Sequence, residues 1–176
     1  RSVFDSILRT TLEQHAGYLG FWSVWEPNAL DGRDHEFVNR SGHDDTGRYI
    51  PFWNRGSGSI ALEPNQYYET PGVGEFYLRP RREGRETVIE PYEYPVAGES
   101  RFITTQVAPI IVDGRCVGAA GLDIAVEDIP SAGADNPQSG VTWESHLQKL
   151  LASAKTEELR KKFGSQSWSS KDPNPI

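Results

Sequence analysis

The chain has 176 residues, a length that allows one domain with a sizeable hydrophobic core. Its 18 lysines and arginines stand against 25 aspartates and glutamates, and the net charge of −7, without a basic stripe, argues against nucleic-acid binding. The single cysteine, Cys116, excludes an internal disulfide and any CxxC motif, and no apolar run approaches the roughly 20 residues of a membrane span.

An amphipathic helix is predicted at the start of the chain. Apolar side chains recur there at helical spacing, with Gly17 marking the end of the helix. The repeating positions are Val3, Phe4, Ile7, Leu8, Thr11 and Leu12. Two uses of this face stay open, since it can cover the core of its own domain or form a dimer seam.

Two aromatic segments then alternate as β-strands do. Residues 18–26 place Phe21, Ser23 and Trp25 on one face, and Trp22 and Val24 on the other. Residues 47–55 place Tyr49, Pro51 and Trp53 on one face, and Arg48, Ile50, Phe52 and Asn54 on the other. Aromatic residues on both faces indicate burial on both sides, or one face that lines a cavity.

The segments between and after these two strands are predicted to lie at the surface. Residues 27–45 are rich in acids, but their spacing lacks the placed glycine and glutamate of a calcium loop, so a solvated loop is predicted. Residues 63–75 are loop-like, residues 75–79 suit a short strand or helical turn, and residues 80–85, PRREGR, suit a solvated basic turn.

Three consecutive antiparallel strands are predicted at residues 88–94, 101–111 and 115–126. The second is rich in β-branched residues, and Asp113-Gly114 supplies the hairpin to the third, because both residues tolerate positive φ. Asp123 interrupts the apolar third strand, and a carboxylate among apolar neighbours requires a partner. Together with the first helix, these strands predict an α+β fold around a central antiparallel sheet.

Beyond residue 129 the composition changes. Residues 130–140 are predicted to be a linker, residues 141–164 a helical segment, and residues 165–176 a disordered tail. Trp143, Leu147, Leu150 and Leu151 form an apolar stripe on that segment, which is expected to pack against its own sheet or a neighbouring chain.

Catalytic motifs are missing from the sequence. The four histidines show no HExxH spacing, and neither a GxSxG elbow nor a phosphate-binding GxxxxGK[ST] loop occurs. We therefore predict a protein that is not an enzyme and that holds no metal or cofactor. A small hydrolase of unrelated chemistry stays open as a less favoured alternative.

Several segments resemble those of Cache domains, the PAS-like extracytoplasmic sensors of bacterial chemoreceptors, sensor histidine kinases and cyclic-dinucleotide enzymes. EPYEYPVAGE and APIIVDGRCVGAAGLDIAVEDI resemble the second half of such a domain, and GFWSVWEPNALDGRDHEFVN and DDTGRYIPFWNR the first half. The resemblance covers residues 1–129. It implies a PAS-like sheet flanked by a long N-terminal helix, in a protein anchored in the inner membrane, with the domain on its periplasmic or extracellular side.

The resemblance also implies a ligand site. In the family, the aspartate of the GxDI-like ending holds the amino group of the ligand, which corresponds here to Asp123. Tyr92 lies beside it, and Phe52 or Trp53 closes the other side. The amino-acid-binding branch of the family has an arginine directly before the proline, where this chain has Ile50, with Arg48 two residues earlier. That difference argues against an α-amino acid.

From the residues themselves, a pocket is predicted between aromatic side chains and Asp123. Its candidate walls are Trp22 or Trp25, Tyr49, Trp53, Tyr92 and Tyr94, with Arg48 the one strand arginine near enough to neutralise Asp123. The expected ligand is a small polar metabolite, either an amine or amino-acid-like, that carries a cationic amine or a similar hydrogen-bond donor. The alternative of a different class is a ligand-free structural or dimerisation module.

Overall fold

The computed structural model describes residues 1–129. Helix α1 (Ser2–Gln14) is followed by β1 (Gly20–Trp25), β2 (Pro51–Asn54) and β3 (Ala61–Pro64), then by helix α2 (Glu75–Glu83) and by β4 (Thr87–Val96), β5 (Glu99–Val112) and β6 (Arg115–Ala125). Short 3-10 turns lie at Asp34–Glu36 and Val126–Asp128. The predicted linker at 130–140, helical segment at 141–164 and tail at 165–176 lie outside the described residues.

The six strands form one antiparallel sheet in the order β3-β2-β1-β6-β5-β4. This architecture confirms the predicted α+β fold. Strand β1 lies at the centre and pairs with both β2 and β6, so it joins the N-terminal strands to the C-terminal meander. The hairpin at Asp113-Gly114 has φ angles of 49° and 75°, as the predicted turn requires, and Ala97-Gly98 repeats the pattern with 52° and 81°.

Each face of the sheet is covered by one helix. Helix α1 packs beneath β1 and β2, where Phe4 contacts Trp25 edge-on, with ring centroids 5.1 Å apart. Helix α2 covers the opposite face, which carries the main hydrophobic core of Trp22, Val24, Phe52, Phe76, Tyr77, Ile103 and Val107, all nearly inaccessible to solvent. Because successive strand residues point to opposite faces, the aromatic residues of β1 and β2 divide between the two helices.

Residues 75–85 correct the prediction of a short element followed by a solvated basic turn. They form α2, a nine-residue helix that runs through Pro80 and ends at Gly84, whose φ of 64° gives the left-handed cap that favours glycine. A proline in a helix removes one backbone hydrogen bond and usually disfavours it. Here the helix buries Phe76 and Tyr77 completely, and this burial offsets that cost.

Among residues 1–129, neither helix is long and apolar enough to cross a bilayer.

Candidate ligand-binding site

Asp123 lies on the face of the sheet that α2 covers, with only 2% of its surface exposed. The register places it beside Thr105 of β5 and Gly20 of β1. Its Oδ1 atom accepts a hydrogen bond from the Thr105 hydroxyl at 2.6 Å and another from the Trp22 indole N–H at 3.1 Å. Its Oδ2 atom receives no hydrogen bond from any residue that the structure describes. Half of this buried carboxylate is therefore available to a further donor.

Tyr92 extends this hydrogen-bond chain. Its hydroxyl lies 2.9 Å from the Thr105 hydroxyl. Since Thr105 has one hydroxyl hydrogen and donates it to Asp123, Tyr92 must donate to Thr105. A β-bulge between Ile89 and Tyr92 makes this contact possible, because three steps along β4 there match two along β5. The additional residue turns Tyr92 to the inner face, where Ile89 and Tyr94 also lie.

Aromatic rings enclose the carboxylate. Phe76 of α2 contacts the Trp22 ring edge-on at 5.1 Å and the Tyr94 ring edge-on at 5.5 Å, and stacks on Tyr92 at 6.3 Å. Phe52 contacts Tyr94 at 6.0 Å from the neighbouring part of the sheet. Asp123 thus sits at the base of an aromatic cluster made of Trp22, Phe52, Phe76, Tyr92 and Tyr94, called the aromatic cluster below.

Burial raises the pKa of Asp123 to about 7, although the hydrogen bonds from Thr105 and Trp22 act in the opposite direction. No arginine, lysine or histidine within residues 1–129 forms an ion pair with it. A carboxylate in this setting binds either a proton or a cation. The site can therefore receive a positively charged donor at the free oxygen.

Arg48 does not provide that cation. Its side chain is buried, but its Nη1 donates to Glu69 at 2.5 Å and its Nη2 to the Tyr77 hydroxyl at 2.7 Å. Its Nε donates to the backbone carbonyl of Trp25. These partners lie at the β1 C-terminal end, whereas Asp123 pairs with Gly20 at the β1 start. Arg48 is thus bonded elsewhere, and Asp123 has no counter-ion within the part of the chain that the structure describes.

The structure does not bring Trp25, Tyr49 and Trp53 to Asp123. All three lie on the face under α1, where Trp25 packs on Phe4, the Tyr49 hydroxyl donates to the Arg1 carbonyl, and Trp53 donates to Asp5. Alternation along β1 and β2 accounts for this, because Trp25 and Trp53 have the parity opposite to that of Trp22 and Phe52. Asp123 shares the α2 face with four of the predicted candidates, Trp22, Phe52, Tyr92 and Tyr94.

Two members of the site escaped the sequence prediction. Thr105 was recognised only as a strand former, and its position opposite Asp123 depends on the register between β5 and β6. Phe76 lay in the segment whose helix was not predicted. The length of the β5–β6 hairpin was the available signal for Thr105, since a tight turn at Asp113-Gly114 fixes which residues face each other.

Known proteins resemble this chain over the same region. No protein-family model matches it. The methyl-accepting chemotaxis protein TlpQ of Pseudomonas aeruginosa is 31% identical over 136 residues, which cover 69% of this chain and 19% of that protein. The chain therefore spans about a fifth of the length of this curated relative.

Solved structures of extracellular domains also resemble this chain. The extracellular domain of the histidine kinase designated mmHK1S-Z3 aligns with a TM-score of 0.67 and 31% identity, over 73% of this chain and 45% of that one. The corresponding domain of mmHK1S-Z2 aligns with a TM-score of 0.65 and 33% identity, over 72% and 45%. Homologues of the chain are thus extracellular sensor domains of chemotaxis receptors and histidine kinases. The resemblance to Cache-like sensor domains is confirmed.

Proposed function

We propose that this Cache-like domain is the ligand-binding sensor of a membrane receptor, and that it recognises a small molecule through a cationic amine held by Asp123. One observation carries the proposal, namely a buried carboxylate that has no counter-ion among residues 1–129 and that lies beside the aromatic cluster. An isolated buried charge is costly, so a ligand that supplies the opposite charge gains free energy on binding.

The surroundings of Asp123 strengthen attraction to a cation. Ion–ion attraction is larger in a site shielded from water than in bulk solvent. A ring of the aromatic cluster that presents its face to the ammonium group would add a cation–π attraction of about 0.5–2 kcal/mol, depending on desolvation. The Asp123–Thr105–Tyr92 hydrogen bonds fix the carboxylate in one orientation, so little ordering is required when the ligand binds.

An amine is favoured over an α-amino acid. The ligand's α-carboxylate would need a cation beside the amino site, and Arg48 is already bonded to Glu69 and Tyr77. Ile50 occupies the position at which the amino-acid-binding branch has its arginine. Both facts support a ligand whose charge is carried by the amine alone.

Binding should be coupled to proton release. With a pKa of about 7, part of the Asp123 population is protonated at neutral pH. A cationic amine binds the ionised form and lowers that pKa, so the proton leaves as the amine enters. Affinity should therefore fall as the pH drops below about 7.

Calorimetry with primary amines tests the proposal. Butylamine should bind the parent protein, and Asp123→Asn should weaken binding at least a hundredfold. The matched control is Asp113→Asn, which removes the same charge at an exposed hairpin and should leave the affinity unchanged. Failure of every amine to bind the parent, or equal affinities in the parent and Asp123→Asn, would refute the proposal.

The receptor context belongs to the same proposal. We infer that residues 1–129 form the sensor domain on the periplasmic or extracellular side of a membrane-anchored protein, with 130–140 as a linker and 141–164 as a helical segment. The kinship with extracellular domains of chemotaxis receptors and histidine kinases supports this arrangement. Fusing residues 1–129 to the membrane and signalling parts of a receptor, and measuring an amine response, tests it.

A second role, dimerisation through α1, is favoured by one observation. Val3 and Ile7 lie one helical turn apart on α1 and are 54% and 39% exposed, while Leu12 on the same helix is fully buried. We propose that this stripe meets its counterpart in a second copy. Sedimentation equilibrium should show a dimer that Ile7→Glu converts to a monomer. An unchanged mass for Ile7→Glu, or a parent protein that is a monomer at all concentrations, would exclude this role.

A further inference from the structure

We propose that Phe76 determines how large an amine the Asp123 site accepts, an inference that rests on the function proposed above. Phe76 is 1% exposed and is the one member of the aromatic cluster that comes from a helix and not from the sheet. Its ring contacts Trp22, Tyr92 and Tyr94, so it lies over the residues that surround the carboxylate. Any group attached to the amine must share this space with the Phe76 ring.

Glycines at both ends of α2 fix where Phe76 lies. The helix has nine residues, contains Pro80 and is bounded by Gly74 and Gly84. A side chain at Gly74 would collide with the backbone carbonyl of Tyr67, and Gly84 has a φ of 64°, so both joints require glycine. Close packing at Gly74 and the left-handed cap at Gly84 thus fix both ends of α2 and hold Phe76 over the aromatic cluster.

Polar contacts set the resting position of α2. The Tyr77 hydroxyl donates to Glu26 and accepts from Arg48, and Arg81 pairs with Glu26 at 2.7 Å. These bonds join the helix to the C-terminal end of β1, which is remote from Asp123. They hold α2 on the sheet. Phe76, which directly precedes Tyr77, then packs over the other rings of the aromatic cluster.

An open cleft lies next to Phe76. A cleft of about 270 Å³ is lined by Tyr67, Val73, Glu93, Tyr94, Pro95 and Ser100. Tyr94 belongs both to this cleft and to the aromatic cluster, where its ring contacts Phe76. A ligand in the cleft would thus reach Asp123 past Tyr94 once the Phe76 ring has moved.

Removing the Phe76 ring should change which amines bind. An apolar cavity opened in a core is able to bind an aromatic ring of matching size. In Phe76→Ala, the ring of 2-phenylethylamine can occupy the vacated space while its ammonium group meets Asp123. We expect this amine to bind Phe76→Ala at least tenfold more tightly than the parent, which corresponds to about 1.4 kcal/mol. The affinity of butylamine should change by less than about threefold.

Calorimetry at pH 7.5 with butylamine and 2-phenylethylamine measures this preference. Phe76→Leu serves as the milder variant if Phe76→Ala unfolds, and should shift the preference in the same direction. The matched control is Phe21→Ala, which removes a ring from the α1 face, where Phe21 packs on Tyr18, and should leave both affinities unchanged.

The outcomes separate the two proposals. If butylamine binds the parent and Asp123→Asn abolishes binding, yet Phe76→Ala and Phe76→Leu keep the parent's preference, Phe76 does not determine ligand size and this inference fails alone. An equal gain for 2-phenylethylamine in Phe21→Ala would also overturn it. If no amine binds any variant, the proposed function fails and this inference fails with it.

Discussion

The two faces of the sheet are both rich in aromatic residues, but they treat charge differently. On the α1 face, Arg1 pairs with Asp31 at 2.7 Å and with Asp34 at 2.8 Å, and Trp53 donates to Asp5. His43 stacks between Phe37 and Tyr49 on the same side. On the α2 face, Asp123 has hydrogen-bond donors but no counter-ion among the described residues.

The proposal that the α2 face binds a ligand rests on this difference in charge balance. Aromatic content does not distinguish the faces, since Trp25, Tyr49 and Trp53 on one side match Trp22, Tyr92 and Tyr94 on the other. The charge balance does distinguish them. On the α1 face the buried acid Asp34 is paired with Arg1, whereas on the α2 face the buried acid Asp123 has no cation among the described residues and its pKa is raised to about 7.

The largest expected effect is the pH dependence of stability that Asp123 causes. Its pKa is raised to about 7 in the folded state, against about 3.9 in an unfolded chain. As the pH rises from 4 to 7, the unfolded chain loses this proton and the folded protein keeps it, so the free energy of unfolding falls by about 4 kcal/mol. The free energy of unfolding of Asp123→Asn should not show this decrease between pH 4 and pH 7.

Urea unfolding of the parent and of Asp123→Asn at pH 4.5 and pH 8 measures the effect. The difference between the two proteins at each pH removes the contributions of other titratable groups such as His43. Asp123→Asn should gain stability relative to the parent at pH 8. Identical pH profiles for the two proteins would mean that Asp123 is ionised and compensated in the folded state, and the contrast between the faces would be lost.

The next largest effect should come from removing the ion pair between Arg1 and Asp34 on the α1 face. Asp34 is 5% exposed and accepts hydrogen bonds from Arg1 and from the backbone N–H of Asn28. Asp34→Asn leaves the Arg1 guanidinium partly unpaired and should cost about 3 kcal/mol of unfolding free energy. Amine affinity should stay within about twofold of the parent. The control is Asp31→Asn, at a more exposed partner of Arg1, which should lose less unfolding free energy. A large change in amine affinity in either variant would show that the α1 face also takes part in amine binding.

Sequence reasoning predicted the framework well because its signals are local. The helix at residues 3–12 and the hairpin at Asp113-Gly114 follow from spacing and turn chemistry, and Asp123 stands out as a charge within an apolar strand. Tyr92 was predicted both as a pocket wall and through the family resemblance. Its inward direction depends on the bulge after Ile89, which no local pattern announces.

The parts that were missed depend on tertiary contacts. Alternation divides the residues of β1 and β2 into two sets, but only the helix packed on each set decides which faces Asp123, so Trp25, Tyr49 and Trp53 were grouped with Tyr92 and Tyr94. Helix α2 was missed because Pro80 and its charged neighbours resemble a turn. Burial of Phe76 and Tyr77 against the sheet, which the sequence does not display, stabilises the helix.

A smaller effect is expected from Thr105→Val, which keeps the shape of the side chain and removes its hydroxyl. Asp123 loses one hydrogen bond and the Tyr92 hydroxyl loses its acceptor, so the free energy of unfolding should fall by about 2 kcal/mol. The pKa of Asp123 should rise further, because that hydrogen bond lowers it. Amine binding at pH 7 should weaken accordingly.

Chemical denaturation and calorimetry at several pH values measure both changes. Thr104→Val, on the opposite face of β5, is the control and should leave the pKa of Asp123 unaltered. A pKa that stays the same in Thr105→Val would show that Thr105 does not bond to the carboxylate in solution.

The smallest expected effect is that of Tyr92→Phe, which removes only the outermost link of the hydrogen-bond chain. The ring keeps its stacking on Phe76, so the loss should be about 1 kcal/mol, with amine affinity reduced a few-fold. Tyr18→Phe, on the α1 face, should change neither quantity. A loss in Tyr92→Phe as large as that in Asp123→Asn would indicate that the tyrosine hydroxyl, and not the carboxylate, is the main contact of the ligand.

The hydrogen bond from Trp22 to Asp123 gives the domain a built-in optical reporter. The indole is 1% exposed and its N–H points at the carboxylate, so the electric field at the ring changes when Asp123 is protonated or meets a cation. Tryptophan emission depends on that field. The Trp22 signal, isolated by subtracting the spectrum of Trp22→Phe, would therefore follow the charge state of Asp123 in real time and without an added dye.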